Sequence, residues 1–173
     1  MNNCIGLIAE DSSDIKVIEE LLKKYFTKNT FSIKKYIGKG CGKLRQKCTA
    51  WSINLRKRGC NHIFVFHDLD TNDEASLRKS LEEKINYSGN DNALVVIPIK
   101  ELEAWLLSDP IAIKSTFNLS KAPKIKGYCE DIDSPKEYLR DIIWKTGKKR
   151  YLNTVHNVKI ASVINIDNLM KCN

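Results

Sequence analysis

The chain has 173 residues, 42% hydrophobic and 29% charged, with a formal net charge of +8. That is the size of one domain, or of one domain with an appendage. No stretch approaches the length of a membrane span, and MNNCIGLIAE at the start lacks a basic region followed by a long apolar core. No association with a membrane and no signal peptide are therefore expected, and the expected location is the cytoplasm. The six cysteines, Cys4, Cys41, Cys48, Cys60, Cys129 and Cys172, form no C-x-x-C pair and fit no zinc spacing. Reduced thiols are expected, with Cys4 and Cys48 as small core residues.

Cys4 to Ala9 reads as a short buried strand. The loop Glu10-Asp11-Ser12-Ser13-Asp14 then supplies helix-capping residues. Ile15, Ile18, Leu21, Leu22 and Tyr25 recur at helical spacing and predict a helix to about Thr27. Phe31 to Ile37 alternates as a second strand. Gly38-Lys39-Gly40-Cys41-Gly42 reads as a flexible turn and lacks the spacing of a nucleotide P-loop. Leu44, Cys48, Trp51 and Leu55 form the buried stripe of a second helix, with Arg45, Lys47, Arg56 and Lys57 on its other face and Gly59 ending it. Ile63 to Phe66 is a third, buried strand that stops at Asp68-Leu69-Asp70. Leu77, Leu81 and Ile85 mark a third helix, Ser88 to Asn92 a loop, and Ala93 to Ile97 a fourth strand ended by Pro98. Strand and helix alternate three times before this last strand, which predicts a mostly parallel sheet with helices on both faces.

Beyond Pro98 the pattern is helical. Lys100 to Leu107 reads as a helix beginning at a strand end. Asp109-Pro110 opens a short helix to about Phe117, Asp capping and Pro in the first turn. Asn118 to Asp133 is loop. Ser134-Pro135 repeats the cap-and-Pro signal for a helix from Lys136 to Lys145, and weaker helical signals follow at Ile160 to Val163 and Asp167 to Met170. The division expected is residues 1–100 as an α/β domain and 101–173 as a helical extension packed on it.

Three strand ends carry acids: Glu10 and Asp14 after the first, Asp68 and Asp70 after the third, Glu101 and Glu103 after the fourth. In a parallel sheet these ends share one edge, the edge where open α/β sheets place their chemistry. Carboxylates gathered there resist ionising together unless a cation sits among them. Magnesium or manganese is the expected ion, because both prefer oxygen ligands. Asp14 equally suits a helix cap, and Glu101 a first-turn acid facing the helix dipole. From Lys34 to Arg58 there are nine Lys or Arg residues, Lys43 and Arg45 among them, and no acid. A second basic cluster holds Lys145, Lys148, Lys149 and Arg150. Acid-free clusters of this kind are the footprint of a polyanion partner, most commonly nucleic acid.

Ile8-Ala9-Glu10-Asp11-Ser12-Ser13-Asp14, together with Asp68-Leu69-Asp70, resembles the motifs of the Toprim (topoisomerase-primase) domain, a Rossmann-like fold. Its first motif is an acid at the end of strand one with another four positions on. Its second is Asp-x-Asp at the end of strand three. The likeness covers about the first hundred residues. Asp11 departs from it, standing where Toprim proteins usually have Gly. Ile97 to Pro110, Lys148-Lys149-Arg150-Tyr151, His156 and Ile160-Ala161 are similar to small bacterial Toprim-like proteins encoded beside ATPases in phage-defence islands. Those proteins are relatives of the overcoming-lysogenisation-defect nucleases. The resemblance implies a metal-dependent nuclease that cleaves or nicks DNA, the effector of an antiviral defence system with an ATPase partner. It implies Glu10, Asp68, Asp70 and Glu103 as catalytic residues and metal ligands, Asp14 as an outer ligand, and Lys43, Arg45, Lys148, Lys149, Arg150 and His156 toward nucleic acid. Lys100 is a further cation near phosphate, and His67 stands beside the Asp pair.

Two other readings stay open. One is a non-catalytic Toprim-shaped subunit that binds nucleic acid or acts as a sensor or adaptor, and Asp11 in place of Gly keeps it alive. The other is a phosphoacceptor receiver domain, which would need a fifth strand-helix unit that the residues after Pro98 do not supply.

Overall fold

Short apolar runs at the expected places build the sheet. The computed structural model describes residues 3–26, 31–87, 89 and 92–170. The expected helix end at Thr27, Ser88, Asn90 and Asp91 of the expected loop, and Cys172 lie outside them. The strands are β1 (Asn3–Ala9), β2 (Phe31–Ile37), β3 (His62–Phe66) and β4 (Ala93–Val96), in the order β2-β1-β3-β4. All three pairings are parallel, so the α/β class and the four-stranded parallel sheet hold. Cys4 through Ala9 are all buried, as a central strand of a parallel sheet requires. Ile5 faces His62 and Ile8 faces Val65 across the β1–β3 pair.

The chain divides into two compact units, Met1–Ile15 with Phe26–Ile97, and Lys16–Tyr25 with Pro98–Asn173. Helix α1 (Ser12–Tyr25) contributes to both. In the first unit, α2 (Cys41–Lys57) and α3 (Glu74–Asn86) pack on each other and on the sheet. Their stripes, Leu44, Cys48 and Leu55 with Leu77, Leu81 and Ile85, close over Ile8, Ile63 and Val65. Burying each such aliphatic side chain contributes about 1.5–3 kcal/mol. Trp51 is only half-buried. It stacks on Tyr36 with ring centroids 5.1 Å apart. Gly59, at φ +86°, ends α2 as expected.

The second unit holds α4 (Glu103–Leu107), α5 (Pro110–Phe117), α6 (Pro135–Gly147), α7 (Asn153–Val163) and α8 (Ile166–Leu169), with a 3-10 turn at Cys129–Asp131. Leu106, Ile113, Ile143 and Ile160 are fully buried in it. Asp109 caps α5 by accepting from Ile111 N and Ala112 N, and its other oxygen accepts from Asn165 N at 2.8 Å. Three expectations need correction. Helix α4 begins at Glu103 and not at Lys100, because Lys100 takes a left-handed conformation (φ +65°) that no right-handed helix continues. Ser134 supplies no side-chain cap to α6. That role falls to Glu101, whose Oε2 accepts from Lys136 N at 2.9 Å. Cys4, Cys41, Cys48 and Cys60 are free thiols, but Cys129 is disulfide-bonded, so the expectation of reduced thiols fails there. No helix of the described residues is long and apolar enough to cross a membrane.

The turn after β2 is pinned. Gly38 N donates to Ala9 O at 2.8 Å and Gly40 N to Glu10 O at 3.1 Å. A Cβ on Gly38 would lie 2.8 Å from Gly40 O and 3.2 Å from Glu10 O, both backbone atoms with no freedom to move aside. A Cβ on Gly42, inside α2, would meet nothing within 4 Å. Gly38→Ala is expected to cost about 1–3 kcal/mol in urea denaturation. Gly42→Ala is expected to be neutral or to stabilise by up to about 1 kcal/mol. Equal effects of the two would show that the turn is loose.

Candidate functional site

In a sheet of order β2-β1-β3-β4 the chain leaves β1 in one direction and returns past it to β3. The switch point therefore falls between β1 and β3, and open α/β sheets bind ligands at the carboxyl ends of strands there. Glu10 is the first residue after β1, and Asp68 and Asp70 follow β3. Their ends meet. The Asp68 amide donates to Glu10 Oε1 at 3.2 Å, and the same oxygen lies 3.1 Å from His67 Nδ1. The Glu10 side chain keeps 17% of its surface exposed. Asp70 has φ +48°, a left-handed conformation uncommon outside glycine, asparagine and aspartate.

A line of polar contacts holds this loop. Arg45 Nε donates to His67 Nε2 at 2.9 Å, which makes Nε2 the acceptor and leaves the ring proton on Nδ1. That Nδ1–H points at Asp68 O, 2.7 Å away, and at Glu10. Arg45 also donates to Asn72 Oδ1 at 3.0 Å, and Asn72 Nδ2 donates to Leu69 O at 2.8 Å. His67 is fully enclosed, and burial, assisted by the Arg45 charge, holds its pKa below the usual histidine value. It is a neutral donor. Arg45, expected toward nucleic acid, is half-buried and holds the Asp loop through these contacts.

The Glu10 carboxyl is pushed up to about 7, chiefly by burial and next by the Asp70 charge. The Asp68 amide and the Arg45 charge oppose this without cancelling it. Asp11 caps α1, its Oδ1 accepting from Ser13 N at 2.7 Å and Ser13 Oγ at 2.6 Å. Asp14 Oδ2 accepts in return from Asp11 N at 3.1 Å. This reciprocal pair is a capping box written in aspartates. The residue that departs from the Toprim pattern is thus a helix cap.

Among the described residues, no three His, Cys, Asp or Glu side chains are gathered so as to hold one ion. What Glu10 and Asp70 offer is two hard oxygen donors whose mutual repulsion a cation would relieve. Magnesium keeps several waters and binds through one or two carboxylates plus substrate phosphates, so this donor set fits it.

Glu103 lies in the second unit and is 7% exposed. Its Oε1 accepts from Asn157 Nδ2 at 2.9 Å, and Asn157 Oδ1 accepts in turn from the Tyr151 hydroxyl. Burial raises the Glu103 pKa and, with the Glu103 charge, raises that of Tyr151. No local pattern marked Asn157 or Tyr151 as partners of Glu103, because the contact with Asn157 closes over 54 residues. Lys100 pairs with Asp133 at 3.3 Å. Lys43, Lys148, Lys149 and Arg150 are exposed, with the Lys148 ammonium 5.4 Å from the centre of the Trp144 ring. His156 accepts from Leu152 N at 2.9 Å and packs on Phe117, and burial lowers its pKa, which disfavours the charged form.

A model of the family described as a domain of unknown function, DUF4276, matches residues 9–173. No curated protein and no solved structure matches the chain.

The raised Glu10 pKa has a consequence for stability without metal. Its folded value, about 7, exceeds the ordinary 4.5, so the native state holds the proton longer than the unfolded chain. Glu10's contribution is full below pH 4.5 and is lost as pH rises through 7. Glu10→Gln keeps the accepting oxygen and removes the charge. In EDTA it is expected to match wild type near pH 4.5 and to exceed it above pH 7, by on the order of 1 kcal/mol after solvent screening. Urea denaturation across this range measures it, and parallel pH curves for the two proteins would refute the raised pKa.

Proposed function

We propose that this chain, which belongs to the DUF4276 family, is a divalent-metal-dependent endonuclease acting on nucleic acid, with DNA the expected substrate. The observation that carries this reading is the meeting of Glu10 with the Asp68–Asp70 loop at the switch point of a parallel sheet. The chain is strongly basic, with exposed lysines such as Lys43 on α2, which suits a polyanionic substrate.

Asp68 and Asp70 would hold magnesium or manganese, with Glu10 either a further ligand or the general base. When bound, the ion supplies Lewis acidity at the phosphoryl oxygens and a more acidic water. Hydrolysis joins a water oxygen to phosphorus and breaks one P–O bond, and the departing sugar oxygen takes a proton from solvent and leaves as a hydroxyl. Glu10 is the candidate base for the water's proton. Its Oε1 is fixed by Asp68 N–H and His67, and its Oε2 has no hydrogen-bond partner among the described residues. Arg45 acts through His67 as a positioning residue. Glu103, which the resemblance implies as a further ligand, is engaged by Asn157 within the second unit. The same resemblance supports a cytoplasmic defence role beside an ATPase.

One observation favours a second reading. The described residues gather no three-donor metal group, which suits a non-catalytic nucleic-acid-binding or adaptor subunit.

Cleavage of supercoiled plasmid with magnesium or manganese separates the two. Wild type, alone or with an ATPase encoded beside it, is expected to nick or cut. Glu10→Ala and Asp68→Ala/Asp70→Ala are expected to lose at least about 100-fold in rate. No cutting under any condition, with plasmid binding equal in wild type and variants, would leave the adaptor reading standing.

A further inference from the structure

A cavity of about 440 Å³ lies within the second unit, between the loop after α5 and one face of α6. Four lysines line it: Lys121, Lys124 and Lys126 from the loop, and Lys145 from the helix. Tyr138, Ile142, Lys145 and Thr146 recur at helical spacing, so α6 turns a single face to it. The loop is tied to that face, because Lys126 N donates to the Tyr138 hydroxyl at 3.1 Å.

The charge balance of the cavity is one-sided. No Asp or Glu is among its lining residues. The two acids of α6, Glu137 and Asp141, pair with Arg140 on that helix. None of the four lysines forms an ion pair among the described residues. Four ammonium groups around one concavity create a positive potential that a concave, low-dielectric wall focuses. Lysine binds phosphate as a point charge. The floor is different in kind: Pro123 and Ile142 are buried apolar residues, and Tyr138 adds a half-buried ring. A volume within the range of small-molecule sites far exceeds one phosphate group, and an apolar floor with an aromatic ring suits the flat face of a base.

We infer that this cavity binds a nucleotide, its phosphates on the lysines and its base on the Tyr138–Ile142 floor. The nucleotide is either a unit of a single strand or a free nucleotide; the phosphate-plus-base chemistry is common to both. The site shares no residue with the Glu10–Asp70 cluster and needs no metal, so it stands apart from the nuclease reading.

Fluorescence anisotropy in EDTA tests it, since removal of divalent metal silences any cleavage. The probes are a labelled oligothymidylate of about ten nucleotides and a fluorescent ATP analogue. Lys124→Glu/Lys145→Glu is compared with Lys79→Glu/Lys114→Glu, which changes net charge equally at exposed positions outside the cavity. Wild type is expected to bind at least one probe, more weakly as salt rises. The cavity variant should lose at least about tenfold and the control less than about twofold. Thermal melts should show both variants folded, with Lys124→Gln/Lys145→Gln replacing the first if it is not. Tyr138→Ala should weaken both probes but not inorganic pyrophosphate used as competitor. Tighter oligothymidylate binding assigns the strand, and tighter binding of the ATP analogue assigns the free nucleotide. Binding of neither probe, or equal loss in the cavity and control variants, overturns the inference.

Discussion

The candidate site depends on the parallel pairing of β1 with β3. This pairing places residues 58 positions apart in hydrogen-bond contact at the sheet's carboxyl edge, where Asp68 N–H meets Glu10 Oε1. Parallel strands run their ends to one side, so acids that follow different strands are gathered without any special loop design. A one-residue slip would turn every side chain of β1 to its other face and carry Glu10 with it. Burial of Cys4 through Ala9 on both faces anchors that register, because the apolar contacts on each side oppose a shift.

The edge then creates its own electrostatic problem. Glu10 is largely removed from water and lies near a second carboxylate, Asp70, so its charged form is disfavoured. Among the described residues, Glu10 has no direct Lys or Arg partner to neutralise this. Arg45 contacts His67 and Asn72, not a carboxylate oxygen, and the neutral His67 passes a hydrogen bond toward Glu10 and the Asp68 carbonyl. The result is a loop held in place beside Glu10, whose charged form burial and Asp70 disfavour.

The second unit shows the opposite economy. Glu103 is more deeply buried than Glu10, yet its oxygen is met by Asn157, which is in turn met by Tyr151. A buried polar chain with each member bonded to the next is the arrangement that low-dielectric interiors tolerate. Glu101 likewise finds a backbone amide at the start of α6. The acids after the fourth strand are thus satisfied by the helical unit's own groups, while the lysines from Lys121 to Lys145 around its cavity are not matched by acids lining it.

Local pattern was enough to read the order of strands and helices, the apolar stripes of α2 and α3, the buried β1 and β3, and the acids standing after strands. These follow from periodicity and turn chemistry, which act over a few residues. Even the Asp109-Pro110 cap was legible, since a cap lies within a turn of the amides it serves. Tertiary structure alone decided which acids meet and which helix ends are capped from afar. It also decided that Arg45 would serve His67. Each of these is a contact closed by strand register or helix packing over tens of residues. Such a contact depends on where the intervening chain has gone, and no local spacing encodes that. The lysine-lined cavity belongs to the same class: Lys121, Lys124 and Lys126 read only as loop, until α6 folds back beside them and makes a wall.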